Sequence, residues 1–126
     1  MRVGTFAVAA TIANPHHPER RLTLDLLVDT GATWTLLPDE VVQKLGLAAP
    51  GKRSVSLASG ERVSFAKGDV VIEINGEEQH TIFLAGPRGA LGLLGAVTLE
   101  EFGLAPDPVH RTLVPITGLL AASTPG

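Results

Sequence analysis

No cysteine occurs in the 126 residues, which excludes disulfides, thiol catalysis and Cys-ligated zinc or iron–sulfur sites. The same absence fits a reducing cytoplasm, and a cytoplasmic location is the expectation. Positive charge is also scarce. Ten Lys and Arg against 13 Asp and Glu leave a net charge of -3, with no basic patch to hold a nucleic-acid backbone. No apolar run approaches the ~18 residues that cross a bilayer. Neither nucleic acid nor a membrane is therefore an expected partner. Gly89, Gly92 and Gly95 form a glycine-rich run, yet no Gly-Lys-Ser/Thr follows and the dinucleotide fingerprint fails. No Gly-x-Ser-x-Gly elbow is present, which disfavours a serine hydrolase. Asp25 and Asp29 lack the Asp-x-Asp spacing of phosphoryl-transferring aspartates. His16, His17, His80 and His110 have no metal-ligand spacing, so no metal site is expected.

What remains is a chain that is 44% hydrophobic and carries 14 Gly and 9 Pro. Its length fits one domain able to hide roughly two-thirds of its extended surface. That domain is read as residues 2–117, with 118–126 a small, polar tail prone to fray. Turn signals recur every 8–12 residues or so, the rhythm of a mostly β domain. Near the start, Arg2 and the apolar stretch 6–13 faintly imitate an export signal. However, Phe6, Val8, Ala10 and Ile12 alternate with smaller residues, as a half-buried strand requires. Leu22, Leu24, Leu26 and Val28 define the inner face of a second strand. A short strand from Thr33 to Leu37 meets a helix with Pro38 at its first position. Val41, Val42 and Leu45 face inward and Gly46 stops it. Two hairpins follow, one turning tightly at Ser59-Gly60 and one at Asn75-Gly76. Leu91 to Leu94 then leads into a helix from Val97 to Phe102 stopped by Gly103. Pro106-Asp107-Pro108 reads as a turn and Thr112 to Ile116 as a last strand.

The chemistry concentrates in Leu26-Leu27-Val28-Asp29-Thr30-Gly31-Ala32, where an apolar strand delivers a carboxylate onto a turn. Gly31 permits backbone geometry closed to larger residues and leaves amides free to face that carboxylate. Thr30 supplies a hydroxyl able to bond the backbone of a neighbouring copy. Much further along, Leu93-Leu94-Gly95 offers two buried apolar residues and a glycine that can pack beneath such a loop.

At these residues the chain resembles the retroviral-type (retropepsin-like) aspartic proteases, specifically their short bacterial relatives. The likeness rests on Asp29-Thr30-Gly31-Ala32, the stretch Thr33 to Pro38 with a helix behind it, the Ser59-Gly60 hairpin, and Leu93-Leu94-Gly95 before a helix. It spans roughly residues 3 to 116. The resemblance implies a closed, barrel-like β fold, a catalytic aspartate at Asp29, a flap at Ser59 and Gly60, and endopeptidase activity without a cofactor.

Such hydrolysis uses two carboxylates around one water. One accepts the water's proton while the other protonates the carbonyl oxygen. Like charges ~3 Å apart cannot both ionise, so the pair divides into acid and base. Asp-Thr-Gly occurs once here, and the inference is a C2 homodimer in which each protomer contributes Asp29. Ala32 stands where this family often carries Ser or Thr. Without that hydroxyl to stabilise the charged carboxylate, activity is expected to extend toward neutral pH. The chain also departs from the family, with Ala96 in place of an Arg after the apolar-apolar-Gly motif and Thr33 in place of that Arg's acid. The two losses are consistent, because either charge alone would be buried unpaired.

Blander readings stand beside each of these. Asp29 could cap a turn, and Gly60 could be a hairpin glycine only. Trp34, the single Trp, reads as core or interface. Glu100 and Glu101 read as solvent-facing. The rival functions are a catalytically silent peptide-binding module on the same fold and a scaffold in which Asp-Thr-Gly is coincidental. An extended peptide is the expected substrate, held by strand-like hydrogen bonds.

Overall fold

The computed structural model describes residues 5–118. In chain order the elements are β1 (Ala7–Ala13), β2 (Arg21–Val28), β3 (Thr35–Leu37), α1 (Asp39–Leu45), β4 (Gly51–Ser56), β5 (Arg62–Ile74), β6 (Glu77–Ala85), β7 (Leu93–Leu94), α2 (Ala96–Phe102), β8 (Leu104–Asp107) and β9 (Thr112–Pro115). Seven strands form one sheet in the order β1-β2-β7-β3-β6-β5-β4, and β1 also pairs with β5 through Thr11, Ile12 and Ala13. That extra pairing closes six strands into a ring and leaves β4 hanging from its edge. The result is the closed, mostly β architecture with two short helices that the sequence implies. Closure leaves β4 as the edge strand of this sheet.

Alternation drives the closure. Phe6, Ala10 and Ile12 of the first strand region, Leu26 and Val28 of β2, Val70, Ile72 and Ile74 of β5, and Phe83 of β6 all point into one core. The same core takes Val41, Val42 and Leu45 from α1 and Leu99 and Phe102 from α2. Both helices end where glycine allows a left-handed residue, at Gly46 (φ 63°) and Gly103 (φ 66°). Pro38 is the N-cap of α1 rather than its first helical residue: its ψ of 152° is extended. Asn14 lies far away in sequence but is buried against the other end of α1. Its Nδ2 donates to the carbonyls of Leu45 (3.0 Å) and Gly46 (3.1 Å), which the helix leaves without partners of its own.

Several boundaries differ from the sequence reading. β5 is one strand of 13 residues where the pattern suggested separate pieces. The Ser59-Gly60 turn is a three-residue loop, with Gly60 N–H donating to the Leu57 carbonyl and Leu57 N–H to the Glu61 carbonyl (both 2.8 Å). Gly60 at φ 89° absorbs the extra residue, as such loops require. Asn75-Gly76 is the two-residue hairpin expected, both residues at positive φ (53° and 84°). Pro106 and Asp107 belong to β8, which pairs with β9 in a separate two-stranded sheet, so the turn falls after them. β9 ends at Pro115, one residue short of the expected end. Of the expected tail, 119–126 lies outside the described residues. Among the described residues no helix is long and apolar enough to cross a membrane.

Candidate active site

β2 ends at Val28 and hands the chain to Asp29, whose backbone N–H donates to the Leu94 carbonyl (3.1 Å). β7 lies parallel to β2, with Leu27 opposite Leu93 and Val28 opposite Leu94. The carboxylate-bearing residue is thus pinned by the strand beneath it. The turn then folds back on itself: Gly31 N–H donates to Asp29 Oδ1 (2.9 Å) and Ala32 N–H to the Asp29 carbonyl (3.1 Å). An amide aimed at a carboxylate oxygen fixes the orientation of the side chain. Asp29 is half-buried, Thr30 and Gly31 are exposed at the apex, and Ala32 is half-buried.

The floor of the loop is main chain. Ala96 N–H donates to the Ala32 carbonyl (2.8 Å) and Val97 N–H to the Thr33 carbonyl (2.9 Å). Ala96 occupies the position where an Arg was expected from the resemblance, and here the backbone of the α2 start holds the loop. Gly95 must be glycine. A Cβ there would collide with the carbon and oxygen of the Trp34 carbonyl, the oxygen at 2.6 Å, and with Thr35 N at 2.8 Å. Leu94 is fully buried under the loop. Leu93 was read as buried packing, but it is half-buried and lines the cavity that holds Asp29, because alternation along β7 turns it the other way.

Beneath this floor runs a chain of hydroxyls that the sequence does not announce. Gly95 N–H donates to Thr35 Oγ1 (3.1 Å), Thr35 Oγ1 lies 2.7 Å from Thr98 Oγ1, and Thr98 Oγ1 lies 3.1 Å from Thr81 Oγ1. Thr81 Oγ1 donates to Glu101 Oε1 at 2.5 Å. The ends fix the direction. The amide can only donate and an ionised carboxylate can only accept, so each hydroxyl in between accepts one bond and donates the next. The three threonines are buried (Thr35 0%, Thr98 1%, Thr81 5% exposed) and all are satisfied. Glu101 is exposed as expected, yet it ends this chain. The residues are scattered over β3, β6 and α2, and the parallel pairing of β3 with β6 and the packing of α2 against both bring them together.

Asp29 faces a cavity of about 490 Å³ lined by Gly31 to Trp34, Leu36, Leu84 and Leu93 on one side and by Ser54 to Ala58 and Phe65 of the β4–β5 hairpin on the other. The hairpin and the Asp29 turn therefore share one cavity. The residues that wall the cavity are Ser54 to Ala58, whereas Ser59 and Gly60 sit exposed at the tip, outside the lining. Trp34 is half-buried in this wall rather than in the core. Among the described residues no three His, Asp or Glu side chains converge on a point that could hold a metal ion.

Comparison with known proteins gives a consistent picture. No curated protein matches the chain. Among solved structures the chain is similar to "EIAV protease complexed with the inhibitor HBY-793", with a TM-score of 0.60 at 21% identity over 78% of this chain and 88% of that one. At that identity the likeness establishes the fold, which is retropepsin-like. The family model described as "gag-polyprotein putative aspartyl protease" matches residues 20–101, a span from the start of β2 into α2 that contains Asp29, the hairpin and Gly95. The chain belongs to this family of gag-type aspartyl proteases.

Proposed function

We propose that the chain is an aspartic endopeptidase, active as a C2 homodimer in which the Asp29 carboxylates of the two protomers share one water. The carrying observation is the apical loop. A carboxylate held by the Gly31 amide (2.9 Å) stands at the mouth of a cleft beneath a β-hairpin. One carboxylate takes a proton from the water as its oxygen attacks the peptide carbonyl, and the other protonates the carbonyl oxygen. Collapse of the resulting tetrahedral species passes a proton to the leaving nitrogen and breaks the C–N bond. The two carboxylates and the water supply every proton moved, so the reaction needs no cofactor. A single Asp-Thr-Gly per chain and the exposure of Thr30 and Gly31 at the apex support pairing of two copies there. β4, an edge strand beside the cleft, supports recognition of an extended peptide by strand addition.

The test is hydrolysis of denatured protein and peptide substrates from pH 3 to 8, wild type beside Asp29→Asn. The expected outcome is cleavage by the wild type and a loss of about 10³-fold or more in the variant. A folded dimer that is silent in both forms would instead identify a peptide-binding module.

A further inference from the structure

Arg53 lies on β4 on the same inward face as Val55, and its registered partner on β5 is Phe65. Val55, Phe65 and Trp34 all line the cavity beside Asp29. The Arg53 guanidinium carbon sits 4.8 Å from the centre of the Trp34 ring, which fixes the planar group against the cleft wall. Its Nε is shut off from solvent without a hydrogen-bond partner. Among the described residues no carboxylate or other acceptor reaches this guanidinium. A buried donor left unsatisfied is costly, and more so on a charged group. Nothing in the stability of the hairpin requires a cation here, since an apolar side chain would stack on Trp34 with no desolvated charge.

Resting on the reading of this cleft as a peptide site, we propose that Arg53 is a specificity-determining residue that binds a carboxylate side chain of the substrate. The protease thereby prefers peptides with Asp or Glu at one fixed position flanking the cut. A guanidinium presents paired donors that match a carboxylate, and its hold on Trp34 means that little rotamer freedom is lost on binding. The carboxylate would meet the terminal N–H groups of Arg53, which are not sealed from solvent as its Nε is and which the protein leaves without acceptors. Arg53 is also tied to the flap strand while Trp34 follows the catalytic turn, so an acidic side chain docked there would bridge the roof of the cleft and its floor.

The experiment uses random octapeptide pools with Glu or Gln fixed at each position in turn. They are cleaved by wild type, Arg53→Gln and Arg53→Glu, and also titrated against the Asp29→Asn protein by the fluorescence of Trp34, the sole tryptophan. The wild type is expected to favour Glu over Gln about tenfold at one position, the usual worth of one charge-assisted hydrogen-bonded pair. That ratio falls to about one in Arg53→Gln and below one in Arg53→Glu. In Asp29→Asn the Glu pool binds about tenfold more tightly than the Gln pool, and the gap closes when Arg53→Gln is added. Equal cleavage of Glu and Gln pools by an active wild type overturns the proposal while leaving the endopeptidase intact. No cleavage of any pool, with the Glu preference retained in binding, overturns the endopeptidase and leaves the Arg53 site standing. A Glu preference that survives Arg53→Gln places the recognition elsewhere and overturns it.

Discussion

Thr98 makes two hydrogen bonds inside the protein, to Thr35 (2.7 Å) and Thr81 (3.1 Å), and neither neighbour can turn to water. Replacing it with Val keeps the shape and removes both bonds. The expected cost is about 2 kcal/mol, because the Thr35 hydroxyl loses its acceptor and the Thr81 hydroxyl its donor. Urea denaturation of Thr98→Val measures it, and a change within about 0.5 kcal/mol would mean the hydroxyl chain is ornamental. Gly95→Ala is expected to cost about 3 kcal/mol, since the added methyl meets main chain, which cannot swing aside. In the endopeptidase proposed above, Ala32 would bear on rate instead. Ser at that position supplies a donor that stabilises the ionised carboxylate, so the pH–rate profile of Ala32→Ser is expected to move toward acid, on the order of 1 pH unit. An unmoved or basic profile refutes that account. At this scale the contact between the Gly31 amide and the Asp29 carboxylate was legible because it joins neighbours in sequence, whereas the Trp34 and Thr35 main chain that requires glycine at position 95 lies far from it in the chain. Thr35, Thr81 and Thr98 were not legible either, since a threonine in a strand or short helix looks the same whether its hydroxyl is buried in a network or wet.

At the scale of elements, legibility followed how local the cause is. Asn75-Gly76 could be read because a two-residue hairpin demands positive φ at both positions. The continuity of β5 could not, because Gly68 looks like a strand breaker. It is buried mid-strand where the carbonyl of Ala48 crosses it, and a Cβ would strike that carbonyl and the Phe83 ring. β8 was missed because Pro106-Asp107-Pro108 carries every local mark of a turn, and only pairing with β9 makes it a strand. Its loop has a titratable latch. Asp107 Oδ2 meets the His110 ring Nδ1 at 2.6 Å, while Oδ1 accepts the N–H groups of Val109 (3.0 Å) and His110 (3.2 Å). The His110 side chain first, and then these amides, hold the Asp107 carboxyl below its ordinary value of 3.8. A carboxyl lowered by folding contributes stability above pH 3.8, and that contribution disappears as the pH falls below it. The difference in melting temperature between wild type and Asp107→Asn is therefore expected to be largest near pH 6 and to close toward pH 3. A gap that persists unchanged in acid would assign the residue a packing role alone.

At the scale of the whole molecule, the described residues form a ring of six strands that carries a single Asp-Thr-Gly turn. The ring closes through β1 and β5, the apical loop rests on β7 and α2, and the hairpin overhangs from the open edge of β5. Nothing in one ring supplies a second Asp-Thr-Gly turn. If catalysis needs both copies, activity must follow the population of pairs in which both members carry the carboxylate. With wild type and Asp29→Asn equilibrated at constant total concentration, random pairing makes that population the square of the wild-type fraction. An equal mixture is then expected to retain about a quarter of the activity of pure wild type, against about half for independent chains. The amide in Asp29→Asn is close in size to the carboxylate, so the variant can still pair, and sedimentation of the mixture checks that it does. Dilution supplies the second arm: rate per chain falls as dimers dissociate, and a higher concentration of a substrate that spans both halves restores it by mass action. A strictly linear mixing curve, together with a rate per chain that does not change on dilution, would show that one ring suffices and that the pairing of aspartates is wrong.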